Sequence, residues 1–344
     1  MKKIGILTHR LGLNYGGMLQ CYALSKYLES FGYKTVVIRR ENDIPLLKRL
    51  LRSIMSICHI KPYYNPNAIQ KVLNTRKFPE MNLHLTSKIH SQRQMMTLCK
   101  KYGLDAVIVG SDQVWRTDFA MSYGYNYFLD FVPDDVTRLA YAASFGLSEW
   151  CYTKEQTRRI KELISRFKAL SVRESEAVDL CKKNLGVEVE QMPDPTMLLN
   201  MNDYDKVASS RLFPEPYVFL YWLGDIDSMN QKISELEQQG KKVINISLRE
   251  TRTLPSVEDW VSYIKYAERV VTDSFHGCVF SIIYHKQLYV CYHKSYGRIS
   301  SLLQLFNTDE ERMKKISEED YAKIDKIMNS ERERARFYLL NALN

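Results

Sequence analysis

The sequence lacks the patterns that would place it in several common classes. None of its seven cysteines forms a CxxC pair or shows a metal-ligand spacing, which argues against a zinc ribbon, a redox dithiol and a disulfide framework. No apolar run approaches the roughly 18–20 residues of a spanning helix. The opening segment MKKIGILTHR is typical of a first strand rather than a signal peptide. A cytoplasmic protein with reduced thiols is therefore predicted.

Two nucleotide-binding patterns are also missing. The Walker pattern GxxxxGK[ST] does not occur, and the glycines near the N-terminus do not have the GxGxxG spacing of a dinucleotide site. No zinc finger, RNP motif or base-reading basic helix is present, so nucleic acid is not expected as a partner. No metal or other cofactor is predicted.

Positive charge is in excess. Lys and Arg number 49 against 40 Asp and Glu, a formal charge of +9. Such a balance favours anionic partners. Without nucleic-acid motifs, a phosphorylated small molecule or an anionic lipid surface fits this charge best.

Strand-like and helix-like segments alternate along the chain, which predicts parallel sheets of the doubly wound α/β kind. At 344 residues the chain exceeds the usual size of one core, so two domains are expected. Prolines and polar residues interrupt the pattern within 192–216. The strands are predicted at 4–8, 34–38, 106–112, 138–145, 169–172, 187–192, 217–223, 242–246 and just before residue 272.

These patterns predict three parts of the chain. Residues 1–195 form a first Rossmann-like domain that carries a basic insertion at about 44–90. Residues 196–316 form a second, and residues 317–344 form a charged helix that packs back on the first domain. Between Arg39 and Lys61 six Lys and Arg accompany an apolar helical face. This helix either contacts an anionic membrane surface peripherally, at the inner face, or simply packs on the first domain.

Polar residues follow several of the predicted strands, where open parallel sheets bind their ligands. In the loop 12–17, Asn14, Gly16 and Gly17 precede a helix whose N-terminus attracts anions, although a tight turn needs the same small residues. After the next buried strand, Asp112 is either a helix cap or a base for a sugar hydroxyl. Its neighbours Ser111, Gln113 and Trp115 are candidates for contacts to a sugar, with the Trp115 ring stacking on the sugar face, and Ser144 follows another strand.

Arg173 and His276 are the remaining strand-end candidates. The Arg173 guanidinium binds a phosphate or carboxylate in bidentate fashion, or it forms a structural salt bridge. In TDSFHG (272–277) His276 stands at the start of an apolar helix, and Asp273 is placed to orient its ring. His9 follows the first strand in a similar position.

Seven segments in this order resemble the polysaccharide pyruvyl transferase family. They are NYGGMLQCYAL (14–24), VGSDQVW (109–115), YAASFG (141–146), SVRE (171–174), DPT (194–196), TDSFHG (272–277) and RISSLL (298–303). The resemblance implies two Rossmann-like domains that face a cleft, as in GT-B glycosyltransferases. It also implies transfer of pyruvate from phosphoenolpyruvate to a sugar of a surface or capsular polysaccharide unit, as a ketal.

The resemblance also implies roles for particular residues. His276 matches the family's histidine and is the predicted catalytic acid, with Asp112 as base. Arg173 matches an arginine implicated in donor binding. Some members have an arginine where this chain has Ser274, so the donor's charge is expected to fall on Arg173, Arg298, a lysine or backbone amides. The residues predicted to bind the donor are Arg173, Ser274, Gly277, Arg298, Asn14, Gly16 and Gly17.

The predicted acceptor is a sugar or a lipid-linked oligosaccharide, contacted by Ser111, Gln113, Trp115 and Ser144. Two other interpretations remain open at this point. A GT-B-type glycosyltransferase with a nucleotide-sugar donor would use the same cleft, since a fold does not determine a reaction. A non-catalytic module that binds a sugar or a phosphate is the third.

Overall fold

The computed structural model describes residues 1–43, 66–291 and 296–344. Within these ranges ten strands form two sheets, and every pair of neighbouring strands is parallel. The first sheet has the order β2-β1-β3-β4-β5-β6 and the second has the order β10-β9-β7-β8. The strands are β1 (Lys3–Leu7), β2 (Lys34–Ile38), β3 (Ala106–Val109), β4 (Thr137–Ala143), β5 (Ala169–Val172), β6 (Glu190–Gln191), β7 (Val218–Trp222), β8 (Val243–Ser247), β9 (Arg269–Thr272) and β10 (Gln287–Val290).

Helices pack around these sheets. A parallel strand that is covered on both faces has a continuous apolar sequence. Strands β3 (AVIV) and β7 (VFLYW) have such sequences and are buried at every position. The helices are α1 (Tyr15–Ser30), α2 (Pro66–Lys71), α3 (Lys77–Asn82), α4 (Gln92–Met96), α5 (Leu98–Tyr102), α6 (Thr117–Ala120), α7 (Lys154–Ile164), α8 (Ser175–Leu180), α9 (Met201–Asp205), α10 (Ile226–Gln238), α11 (Val257–Tyr266), α12 (Phe275–Ile283), α13 (Tyr296–Leu305), α14 (Glu310–Lys314) and α15 (Glu318–Leu343). Among the described residues, no helix combines the length and the apolar character needed to cross a membrane.

The predicted fold class is confirmed: two Rossmann-like units, each with a parallel sheet, form the molecule. Most strands lie within one or two residues of the predicted segments. The strand predicted at 187–192 is reduced to two residues, Glu190–Gln191. Strand β10 was not predicted, because its four residues follow the apolar helix α12 after only a short turn.

The chain passes from one sheet to the other between Gln191 and Val218, which includes the interrupted stretch 192–216. The long helix α15 then returns to the first sheet. Its Tyr338 hydroxyl donates to the carbonyl of Ala140 at 2.8 Å, and Arg334 Nη2 donates to the carbonyl of Gln191 at 2.9 Å. These bonds tie the C-terminal helix to the unit that holds β4 and β6. The domain bounds at about 195 and 316 stay predictions.

The described part of the predicted insertion connects the two units. The amide of Leu254 donates to the carbonyl of Lys71, and the Asn74 side chain donates to the carbonyl of Leu254. The segment after α2 therefore contacts the second unit. The predicted basic amphipathic helix lies in 44–65, outside the described residues, so its contact with a membrane stays a prediction.

Candidate active site at the junction of the two sheets

Two helix N-termini meet at the carboxyl ends of the strands. Asn14 caps α1, accepting from the amide of Gly17 at 3.3 Å, and Ser274 caps α12, accepting from the amide of Gly277 at 3.2 Å. A Cβ atom on Gly16 would lie 1.9 Å from Nδ1 of His276. The imidazole of the second unit therefore packs directly on the backbone of the first, and only glycine leaves room for it.

The neighbouring glycines have different surroundings. A Cβ on Gly277 would lie 2.5 Å from Oγ1 of Thr272, so glycine lets α12 approach the end of β9. A Cβ on Gly17 would lie 3.5 Å from Oδ2 of Asp112, an ordinary van der Waals contact. Gly17 thus borders the carboxylate of Asp112 without being crowded by it.

Asp194 lies at the centre of the buried polar groups. Its Oδ2 accepts from Arg173 Nη1 at 2.8 Å and lies 3.1 Å from Ser111 Oγ, and its Oδ1 accepts from the amide and hydroxyl of Thr196. Nε2 of His276 lies 3.6 Å from the same Oδ2, just beyond hydrogen-bond distance. Burial opposes ionisation, but His276 and Arg173 hold the pKa of Asp194 far below its usual range. The carboxylate is therefore ionised and lies between the Arg173 guanidinium and the His276 imidazole.

Arg173 is largely committed to buried acids. Its Nε donates to Glu174 Oε1 at 2.8 Å, Nη1 donates to Asp194, and the guanidinium lies 4.4 Å from the Phe275 ring centroid. Burial lowers the pKa of Arg173, but Glu174, Asp194 and Asp112 outweigh this and raise it. Nη2 is buried and has no hydrogen-bond partner among the described residues. The structural salt bridge is thus present, and one nitrogen remains for a ligand instead of a bidentate pair.

Asp112 lies beside Arg173 and is ionised as well. Its Oδ1 is 3.9 Å from Arg173 Nη1, an ion-pair distance without a hydrogen bond. Burial raises the pKa of Asp112, but His9, Arg173, His276 and Arg298 together bring it below the usual value. Burial, followed by the charge of Arg173, lowers the pKa of Arg298 on α13. Both predicted catalytic residues, Asp112 and His276, therefore face the same group of charges.

The predicted acceptor residues are not equally placed for contact with a sugar. Trp115 is 1% exposed, its Nε1 donates to the carbonyl of Tyr127, and its ring stacks on Phe128 at 5.7 Å. The expectation that Trp115 stacks on a sugar was therefore wrong, because the core covers its ring. Ser144 is also fully buried, and its hydroxyl accepts from the amide of Gly146.

The other two acceptor candidates are bonded to protein groups. The Ser111 hydroxyl lies between Asp194 Oδ2 and the carbonyl of Ala142, at 3.1 and 2.9 Å. Gln113 is half-buried, and its Oε1 accepts from Arg116 Nη1 at 3.3 Å. Ser111 therefore supports the carboxylate of Asp194, and Gln113 retains a partly open side chain.

Sequence reasoning missed two of the residues that build this site. The first is Asp194, whose carboxylate lies next to Nε2 of His276. Asp273 was expected in that position, but its oxygens accept from the amides of Leu223 and Gly224. The DPT motif that contains Asp194 was the available signal. Gln20 was also missed: its Oε1 accepts from the amide of Ser111, and its Nε2 donates to Thr8 Oγ1. Among the described residues, no three His, Cys, Asp or Glu side chains are grouped as a metal site requires.

One comparison with a solved structure reaches a TM-score of 0.50 and supports the fold, and two others lie below that value. The Glycyrrhiza uralensis protein UGT73P12, solved with glycyrrhetinic acid 3-O-monoglucuronide, has a TM-score of 0.50 at 10% identity and covers 100% of this chain and 96% of its own. The UDP-GlcNAc 2-epimerase of Methanocaldococcus jannaschii has a TM-score of 0.45 at 13% identity, covering 96% and 92%. The Streptomyces sp. SF2575 glycosyltransferase SsfS6 has a TM-score of 0.42 at 12% identity, covering 97% and 96%.

The family is shown by the sequence itself. No curated protein matches the chain at a significant level. The sequence model described as "Polysaccharide pyruvyl transferase" matches residues 14–295, which include the site residues discussed above apart from Thr8, His9 and Arg298. The resemblance first drawn from seven short segments is therefore confirmed over most of the chain. The chain belongs to the polysaccharide pyruvyl transferase family, a family of transferases.

Proposed function

We propose that this protein transfers the pyruvyl group of phosphoenolpyruvate to two hydroxyls of a sugar in a polysaccharide unit, forming a ketal. Family membership supports the class of reaction. The observation that carries the proposal is the buried imidazole of His276, whose Nε2 has no hydrogen-bond partner among the described residues. A proton donor that two helix N-termini surround, and whose neighbours are ionised, suits the departure of a phosphate.

The reaction requires an acid, a base and a site for anions. One sugar hydroxyl attacks C2 of the donor while the methylene carbon takes up a proton. Inorganic phosphate then leaves as the C–O bond to C2 breaks, and a second hydroxyl attacks C2 and gives up its proton. The products are a cyclic ketal and phosphate, without oxidation or reduction. The steps are an addition across the enol double bond, the loss of phosphate and the proton transfers that accompany them, for which side chains suffice.

His276 and Asp112 supply the two proton-transfer functions. The imidazole protonates the methylene carbon or the leaving phosphate, and Asp194 Oδ2, 3.6 Å from Nε2, stabilises its cationic form. The carboxylate of Asp112 is kept ionised by the surrounding cations and accepts the proton of a sugar hydroxyl. Each such positioned group contributes about 10²–10⁴-fold to a rate.

Helix N-termini and arginine side chains are available to bind the negatively charged donor. The N-terminus of α1, a 16-residue helix, lies against that of α12, and helix N-termini favour anions. Nη2 of Arg173 is buried without a hydrogen-bond partner among the described residues, and Arg298 faces the same group of charges. Together these groups take the role of the arginine that some family members have at the position of Ser274.

Product analysis tests the proposal. The full chain is incubated with phosphoenolpyruvate and a panel of sugars and lipid-linked oligosaccharides. We expect inorganic phosphate to be released only with an accepted sugar, and a pyruvyl ketal to form on that sugar in equal amount. A parallel incubation with nucleotide-sugars tests the alternative, since release of free nucleotide would identify a glycosyltransferase. If neither phosphate nor nucleotide is released, the protein would be a non-catalytic binding module.

Replacement of the imidazole should abolish turnover without unfolding the protein. His276→Gln removes the proton donor while keeping a polar side chain of similar length, so kcat is expected to fall by about 10²–10⁴-fold. The matched control is His84→Gln, because the His84 side chain is exposed and takes part in none of the contacts described at the junction. Wild-type turnover by His276→Gln, at an unchanged Tm, would exclude a catalytic role.

A further inference from the structure

A second pocket, of about 320 Å³, adjoins the candidate active site on the first unit. It lies beyond the carboxyl ends of β1 and β2, the edge at which open parallel sheets bind ligands. Its remaining wall comes from α3 and the segment that follows. The volume is at the lower end of the range for small-molecule sites. The residues that contact Arg173 and Asp194 do not line this pocket, and the proposed donor site lies outside it.

The pocket is strongly basic. Five of its lining residues are Lys or Arg and two are Glu, a balance of 5 − 2 = +3 without counting His9. Arg40 is buried against Asn126, and Arg10 pairs with Glu41 at 2.8 Å, so these two cations are already used. The lining cations are Arg10, Arg39, Arg40, Arg76 and Lys88.

Two of the cations keep their charge available. Arg76 and Lys88 are exposed, and no ion pair joins either side chain to another described residue. Both lie on the side of the pocket formed by α3 and the segment after it. A ligand with one or two phosphate groups would satisfy them, because exposed cations without a partner acid favour oxyanions.

The opposite end of the pocket leads to the reacting groups. His9 lines the pocket and is also among the neighbours that lower the pKa of Asp112 against the effect of burial. Its Nε2 is buried and has no hydrogen-bond partner in the described part of the chain, and its ring lies 5.0 Å from that of Phe119. Phe119 does not line the pocket itself, but it is 43% exposed, unlike the buried Trp115, and it borders the pocket through His9. The pocket thus extends from two exposed cations to His9, next to Phe119 and on the side of Asp112.

We propose that this pocket binds the acceptor as a sugar that carries a phosphate or diphosphate ester. Arg76 and Lys88 hold the ester group, the sugar lies against Phe119, and its reacting hydroxyls are directed toward His9 and Asp112. This assignment rests on the proposed pyruvyl transfer, since it names the second substrate of that reaction.

The test uses inorganic pyrophosphate as the probe, measured by titration calorimetry on the full chain. The double variant Arg76→Ser/Lys88→Ser should bind it at least about tenfold more weakly than the wild type. The matched control is Lys34→Ser/Lys77→Ser, which changes the net charge equally at two exposed lysines that do not line the pocket. This control should bind like the wild type, and both variants should keep the wild-type Tm.

Phosphoenolpyruvate separates the acceptor pocket from the donor site. We expect its Kd to stay within about twofold in the double variant, and a saturating concentration should not displace pyrophosphate. Equal losses in the double variant and its control, unchanged pyrophosphate binding, or full displacement by phosphoenolpyruvate would each overturn the assignment. Failure of the proposed pyruvyl transfer would give a different result from failure of the pocket assignment. No phosphate would be released from phosphoenolpyruvate with any sugar, while pyrophosphate would still bind to the pocket.

Discussion

Asp194→Asn is expected to destabilise the protein by about 3–5 kcal/mol, because it removes the charge that compensates a buried guanidinium. The Asp194 side chain is 0% exposed, and its Oδ2 accepts from Arg173 at 2.8 Å. The asparagine has a single acceptor oxygen: if it serves Thr196, the amide N–H group faces Arg173, and if it faces Arg173, Thr196 loses its acceptor. Glu174 remains as the nearest full counter-charge, and it already pairs with the other side of the guanidinium.

Urea unfolding of the wild type and the variant measures this loss. Asp118→Asn is the matched control, because Asp118 also pairs with an arginine, at 3.1 Å, but its side chain is 69% exposed. Ion pairs at the surface contribute little, so the control should unfold near the wild-type midpoint. If Asp194→Asn unfolds at the same urea concentration as Asp118→Asn, Arg173 must find another partner with little loss of unfolding free energy.

The same carboxylates predict how stability depends on pH. Although burial opposes ionisation, neighbouring cations hold the pKa of both Asp194 and Asp112 below the usual value. Protons therefore bind more readily to the unfolded chain, whose Asp pKa is about 3.9. The stabilisation is present above that pH and is lost as the pH falls through it toward the folded pKa values. Asp194→Asn should accordingly lose less stability than the wild type between about pH 5 and pH 3.

Much of the fold could be predicted because it depends on local patterns. The run AVIV at β3 and the run VFLYW at β7 are continuous and apolar, and both lie within predicted strands. His276 was recognised for a similar reason, since a polar side chain between a buried strand and an apolar helix is conspicuous in the sequence. The sequence therefore allowed the strand-end positions to be predicted, together with the edge of the sheet at which they meet.

The partners of those residues could not be read in the same way. Asp194 contacts Arg173 across 21 positions and Ser111 across 83, so only the folded chain shows that its carboxylate joins these two side chains. Trp115 was misjudged for a related reason. Phe128 covers its ring from a different segment of the chain, and the sequence after β3 does not distinguish a buried ring from an exposed one.

Gly16→Ala is expected to reduce kcat by about 10²-fold or more while leaving each unit folded. The new Cβ would lie 1.9 Å from Nδ1 and 2.1 Å from Cγ of His276, so the ring or one of the two helix N-termini must move. A displacement of about 1 Å at a reacting group costs on the order of 10²-fold in rate. Helix α1 itself gains propensity from alanine, so a loss of activity cannot come from a weaker helix.

Gly17→Ala provides the comparison for Gly16→Ala, since it places the same methyl group one position along the same helix. Its Cβ would meet Asp112 Oδ2 at 3.5 Å and atoms of Asn14 at 3.6 Å, which are ordinary contacts, and the amide that Asn14 caps is retained. We therefore expect Gly17→Ala to keep most of the wild-type kcat and to melt at or slightly above the wild-type Tm. Equal kcat values for the two variants would show that the contact between Gly16 and His276 does not determine the position of the imidazole during turnover. A large difference, with similar Tm values, would attribute the requirement for glycine to the junction of the two units rather than to the turn before α1.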